Sequence, residues 1–456
     1  MPKELRLNAF CVNSASQLSP GTWRAATTTS TSFLDLRHWI ETAKILEAGR
    51  FDALFFADTL GPFDVYGGSP DGAVRSGALM PIHDPLALVP AMAGATEHLG
   101  FGVTVNLSYE LPFLHARRMS TLDHLSAGRI GWNIVTGYLD SAARAAGRQS
   151  QVAHDLRYEI ADEYMDIVYA LWEGSWEDDA IVKCSASGMY ADPKKVHLIR
   201  HMGKHFNVEA VHLCEPSPQR TPVLFQAGAS PAGAAFGGKH AECVFITSAT
   251  KSWAARSVAR TREQSALQGR AADSLAVLLM FTAICGETDQ EAQNKYNHYQ
   301  RLVSTEGALT LISGWSGIDF SKYSPNEHIR NIENDSVRSF VGRFTGGENS
   351  KVWTIEELAE FVAIGGASPV IVGSAATVAD ELQSWAEETD VDGFTLTGIT
   401  VPDTFIDFIR IAVPELQRRG VFKTDYIPGT LRHKLFGKGP RLQSPHRGSY
   451  FRRKPS

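Results

Sequence analysis

Cysteine is scarce: Cys11, Cys184, Cys214, Cys243 and Cys285 are the only five in 456 residues, odd in number and widely spaced. That pattern excludes a disulfide framework and the short paired spacings of a zinc site, and it predicts buried free thiols in a reducing compartment. No apolar run approaches the roughly 20 residues of a membrane span. Met1-Pro2-Lys3-Glu4-Leu5-Arg6 carries charge where a secretory leader needs its apolar stretch, so the expectation is a cytoplasmic protein away from any membrane. Also missing are a Gly-Lys-Ser/Thr phosphate loop, a Gly-x-Gly-x-x-Gly fingerprint, a nucleophile elbow and a Ser/His/Asp arrangement. His201 and His205 have helical ligand spacing but no adjacent Glu, which argues against a metal. With these excluded, the catalytic burden falls on a cofactor.

Acids are absent after Asp425, whereas eight basic residues follow it, from Arg432 to Lys454. The net charge of −6 therefore conceals a body near −14, a poor surface for nucleic acid. The stretch 437–456, rich in Gly, Pro, Ser and Arg, reads as a basic, disordered tail that stays soluble or pairs with the acidic body.

Ahead of that tail, apolar strands alternate with amphipathic helices. Leu5 to Phe10, Phe51 to Phe56, Phe101 to Asn106 and Arg129 to Asn133 read as the first four strands. Thr221 to Gln226, Cys243 to Ile246, Leu275 to Cys285 and Phe394 to Thr397 read as the last four. Short strands that are apolar on both faces belong to parallel sheets covered by helices. Eight of them, joined by right-handed crossovers, predict an α/β fold, a TIM (β/α)8 barrel forming a single domain over 1–436. Two connections exceed ordinary loop lengths, 174–220 after strand four and 300–374 after strand seven, and insertions of that size are usually lids or binding elements.

Polar residues gather where barrel strands end. Asp58 follows strand two, Thr104 lies at the end of strand three, and Asn133 and Thr136 accompany strand four, all on the rim that carries ligands in such barrels. Gln226-Ala227-Gly228-Ala229-Ser230-Pro231 precedes a helix whose free amides attract anions, with the Ser230 hydroxyl as a further donor. His154 and Tyr158, four residues apart at a helix start, share one face and suit a phosphate. An anion cradle beside a polar rim points to a phosphorylated cofactor of unstated identity.

A resemblance then becomes specific. Phe56-Ala57-Asp58, Asp64-Val65-Tyr66-Gly67-Gly68, Arg117 to Leu125, Gly131 to Ala143 and Leu213 to Pro222 make the chain resemble the bacterial luciferase-like flavin monooxygenases. Within these it is similar to the subfamily of nitrilotriacetate monooxygenase, pristinamycin synthase and dibenzothiophene sulfone monooxygenase. The resemblance implies reduced FMN (FMNH2), delivered by a separate NADH-dependent flavin reductase, and O2 activated as a flavin hydroperoxide. It places Asp58, Thr104, His154, Tyr158 and Ser230 at the flavin, the last three toward its phosphate, with Asn133 and Thr136 as further contacts near the ring. It also implies a homo-oligomer and a small organosulfur substrate such as dimethyl sulfide. A sulfone, an aminopolycarboxylate, a deazaflavin enzyme or a non-catalytic flavin binder are the alternatives. Ala234 stands where relatives often carry arginine, which weakens the expected phosphate site.

Overall fold

The structure, a computed structural model, describes residues 3–25, 28–228, 230–329 and 353–453. Eight parallel strands, β1 (Arg6–Val12), β2 (Ala53–Ala57), β3 (Gly100–Asn106), β4 (Ile130–Val135), β5 (Val223–Gln226), β6 (Cys243–Ile246), β7 (Ala276–Cys285) and β8 (Gly393–Thr397), pair in chain order. β8 returns to β1, with Arg6 opposite Gly393, and the sheet closes as a TIM barrel wrapped by helices. The helix Leu36–Ala48 shows why the wrapping forms. Asp35 caps it by accepting from the Arg37 N–H, and Trp39, Thr42, Ala43 and Leu46 recur at helical spacing as its buried stripe. Among the described residues no helix is long and apolar enough to cross a membrane.

Strand residues alternate between two cores. Leu54, Phe56, Val103, Trp132 and Leu224 point outward into the helical layer. Phe10, Phe55, Phe225 and Phe245 fill the barrel, with Phe55 and Phe245 at a centroid separation of 4.4 Å and Phe225 and Phe245 at 5.4 Å. Gly131 admits this ring cluster, because a Cβ there would lie 2.4 Å from the Phe225 ring. Leu431 and Leu435, on the short helix Leu431–Phe436, join the inner cluster and stopper the N-terminal mouth of the barrel.

The insertion 174–220 holds two antiparallel hairpins, Ile181–Cys184 with Met189–Ala191 and Ile199–Met202 with Asn207–Ala210. The two histidines at helical ligand spacing are spent on carboxylates, His201 Nε2 lying 3.0 Å from Glu163 Oε1 and His205 Nε2 3.0 Å from Glu159 Oε1. In the second insertion, 330–352 lies outside the described residues. The strand Val370–Gly373 pairs there with the outer half of β7, beyond the barrel.

Two expectations need correction. Cys11, Cys243 and Cys285 are buried thiols, but Cys184 and Cys214 are partly exposed. The tail is ordered over 437–453. Leu442 and His446 are buried, and Arg441, Arg447 and Arg452 pair with Glu173, Asp166 and Glu173 respectively. Its polar composition suggested disorder because the neutralising carboxylates lie hundreds of positions upstream.

Candidate active site

At the C-terminal rim, strand register places Thr104 opposite Asn133 on neighbouring strands. Asn133 Nδ2 donates to Thr104 Oγ1 at 2.9 Å, and Thr104 in turn donates to the Phe56 carbonyl at 2.8 Å. The Thr104 proton is thereby committed inward, leaving the hydroxyl oxygen held in one place. Asn133 stands behind Thr104, buried, with its Oδ1 making no hydrogen bond.

A cleft of about 440 Å³ opens above this layer, lined by Asp58, Thr104, Thr136, His154, Tyr158 and Ser230. Six of the seven residues expected at the site therefore share one wall system, while Asn133 supports it from behind. At one end Ser230 caps the helix Pro231–His240, accepting from the Gly233 N–H at 3.0 Å. The Tyr158 hydroxyl is hydrogen-bonded with Ser230 and Thr136, and its pKa is raised, first by burial. A Cβ at Gly233 would lie 2.7 Å from the Tyr158 oxygen, so only glycine lets the helix start come this close. His154 packs edge-on to Tyr158 at 5.2 Å, and its Nδ1 lies 2.7 Å from Asp155 Oδ1.

Sequence reasoning passed over Arg157, which also lines the cleft. Its Nη1 donates to the Val152 carbonyl at 2.6 Å, its Nε is buried without a partner, and burial lowers its pKa. The same spacing rule that joined His154 to Tyr158 puts Arg157 on their face at i+3. A cation thus lines the cleft although position 234, where relatives often carry arginine, is alanine.

The opposite end of the cleft reaches Asp58, whose Oδ1 accepts the Thr59 N–H at 2.8 Å. Burial pushes its pKa up to about 7; the Thr59 N–H opposes the rise and the Asp84 charge adds to it. Asp58, Thr59, Tyr138 and Trp315 are shared with a second chamber of about 380 Å³, otherwise walled mainly by carbon from Phe10, Val12, Leu18, Phe63, Leu79 and Met280. Trp315, hydrogen-bonded to Tyr138, comes from the insertion 300–374, which thus supplies a wall common to both spaces. A polar cleft with Ser230, Tyr158, His154 and Arg157 at one end thus adjoins an apolar chamber.

Comparison with known proteins fits that arrangement. The pattern of the family described as luciferase-like monooxygenase matches residues 18–393. The chain belongs to the luciferase-like monooxygenases. It is 46% identical over 453 residues to the dimethyl-sulfide monooxygenase of Hyphomicrobium sulfonivorans, covering 99% of this chain and 94% of that protein. It is 44% identical to the long-chain alkane monooxygenase of Geobacillus thermodenitrificans (strain NG80-2), covering 99% of each. The crystal structure of riboflavin lyase RcaE with modified FMN and riboflavin superposes with a TM-score of 0.91 at 38% identity, covering 99% of this chain and all of that one. The luciferase-like monooxygenase family is flavin-dependent, and this chain is a monooxygenase of that kind.

Proposed function

We propose that the chain is the oxygenating component of a two-component system, receiving reduced FMN from a separate NADH-dependent flavin reductase and using O2 to oxygenate a small organosulfur compound. Dimethyl sulfide is the substrate favoured by the resemblance. The observation that carries the reading is the junction of the anion-receiving cleft with the apolar chamber at Asp58. The residues present fit the cofactor. Ser230, Tyr158, His154 and the unpartnered Arg157 Nε suit a phosphate at one end, and Thr104 and Asp58 suit a polar ring edge at the other.

Bound reduced FMN would supply the electrons that activate O2. The chain's own part is to hold the phosphate, fix the ring against the Thr104 hydroxyl oxygen, keep water from the carbon-walled chamber, and hold a proton on Asp58 near neutral pH. For dimethyl sulfide the balance is one sulfide, one O2 and two reducing equivalents with two protons giving methanethiol, formaldehyde and water. A carbon next to sulfur is hydroxylated, and the resulting hemithioacetal breaks its C–S bond.

A second reading keeps the chemistry and enlarges the substrate to a longer sulfide or a hydrocarbon. It is favoured by the carbon-lined chamber and by nearly equal identity to the alkane and sulfide enzymes. Coupled turnover with a generic flavin reductase and a panel of dialkyl sulfides, sulfones, alkanes and aminopolycarboxylates tests both. Consumption of dimethyl sulfide with stoichiometric formaldehyde supports the first. Turnover of longer chains alone supports the second, and reduced FMN that fails to bind removes both.

A further inference from the structure

A third cavity meets the same junction. This groove, of about 920 Å³, shares Asp58, Thr59 and Ile82 with the apolar chamber, and Asp58, Thr59, Leu60, Thr104 and Asn106 with the cleft. Away from the junction Met80, Leu86, Leu111 and Leu114 give it carbon surface, interrupted by His83, Asp84 and Tyr109, with the Glu110–Arg118 ion pair at its side. Leu111 and Leu114 are exposed, so the groove's outer end is open and apolar. The cleft's far end, by contrast, is the polar cluster of His154, Arg157 and Ser230.

Resting on the reading of the cleft as the flavin site, we propose that the groove is a separate route by which a neutral, apolar substrate reaches the chamber, past Ile82, after the cofactor has filled the cleft. A ligand lying from Ser230 to Asp58 blocks the passage from the cleft's far end to the chamber. The groove joins that chamber from another side, at Ile82. A thioether or hydrocarbon surrenders no strong hydrogen bonds on the way in, whereas a carboxylate would be stripped of water with no cation to receive it in the chamber.

The test is the association rate of dipropyl sulfide, followed by stopped flow under anaerobic conditions in the chain preloaded with reduced FMN. Ile82→Phe narrows the waist and is expected to slow association about tenfold, while the affinity for reduced FMN stays within about twofold. Leu114→Phe, at a half-exposed position where folding is not at risk, is expected to slow it about threefold. Wild-type rates in both folded variants would overturn the proposal. An arm with flavin-free protein, read by tryptophan fluorescence, separates this outcome from failure of the flavin reading. There Ile82→Phe alone leaves the rate near wild type because the cleft is open, and adding Ala227→Phe at the cleft mouth makes it fall about tenfold. If the double variant associates as fast as Ala227→Phe alone, the groove is not the route, whether or not FMN binds.

Discussion

Asp58 is a carboxyl whose surroundings favour the acid form, and the sign of its effect follows. Its pKa rises from the ordinary 3.8 to about 7 on folding, so the penalty for ionising it is absent at pH 3, grows as pH climbs, and is complete above 7. Asp58→Asn should therefore raise the melting temperature at pH 8 and leave it nearly unchanged at pH 4; equal shifts at both would exclude a buried titrating carboxyl. A ring laid over Asp58 buries it further and couples binding to proton uptake. The Kd for reduced FMN is expected to weaken about tenfold from pH 6 to 8.5 relative to Asp58→Asn, the comparison cancelling the phosphate's own titration near 6. Arg157 makes a second claim at this scale. A charge-assisted hydrogen bond to phosphate contributes about 1.5–3 kcal/mol, so Arg157→Gln should weaken reduced FMN by about 10- to 100-fold. Reduced riboflavin, which lacks the phosphate, should bind both forms alike. Equal loss for the two ligands would place Arg157 elsewhere.

At the scale of elements, the eight strands were legible because each is a short apolar run buried on both faces, and period and length identify such runs without partners. The rim was legible for a related reason: Asp58, Thr104 and Thr136 are polar residues that break those runs where the chain leaves the barrel. What could not be read was pairing. Asn133 sits on the same strand face as a rim residue, yet its amide is consumed by Thr104, a contact set by the β3–β4 register. Arg157 escaped because arginine at a helix start usually faces solvent, and its burial depends on the loop that brings the Val152 carbonyl beneath it. The strand Val370–Gly373 lies inside the long connection 300–374 and reads as part of it in the sequence. Packing between strands also yields a prediction. Gly131→Val would drive a side chain into the Phe225 ring and should destabilise by about 3 kcal/mol or more, read as a lower urea midpoint. Phe225→Leu in the same chain vacates that space and should restore part of the loss; a double variant no better than Gly131→Val would deny the contact.

At the scale of the molecule, residues 438–453 work on the face opposite the site. The helices His154–Tyr169 and Pro231–His240 start at the polar end of the cleft, with His154, Tyr158 and Ser230, and finish under the tail. There His446 Nε2 donates to the His240 carbonyl at 2.9 Å, and Arg447 Nε bonds Asp166 Oδ1 at 2.6 Å. Glu173, with no exposed side-chain surface, is held by Arg441 at 2.7 Å and by Arg452 at 3.3 Å, while Thr221 donates to its other oxygen at 2.8 Å. Deleting 438–456 strips both arginines from a buried carboxylate, a loss that costs about 3–5 kcal/mol when one partner of such a pair is removed. The melting temperature should fall by about 5 °C. Because the upper turns of the two helices keep their own contacts, the affinity for reduced FMN should change by only about threefold. The decisive check is a reversal of sign at Glu173. In the full chain Glu173→Gln removes the anion that holds Arg441 and Arg452 and should lower the melting temperature. In the truncated chain it removes an uncompensated buried charge and should raise it. The same direction of change in both backgrounds would show that the basic tail is not the counter-charge of the barrel.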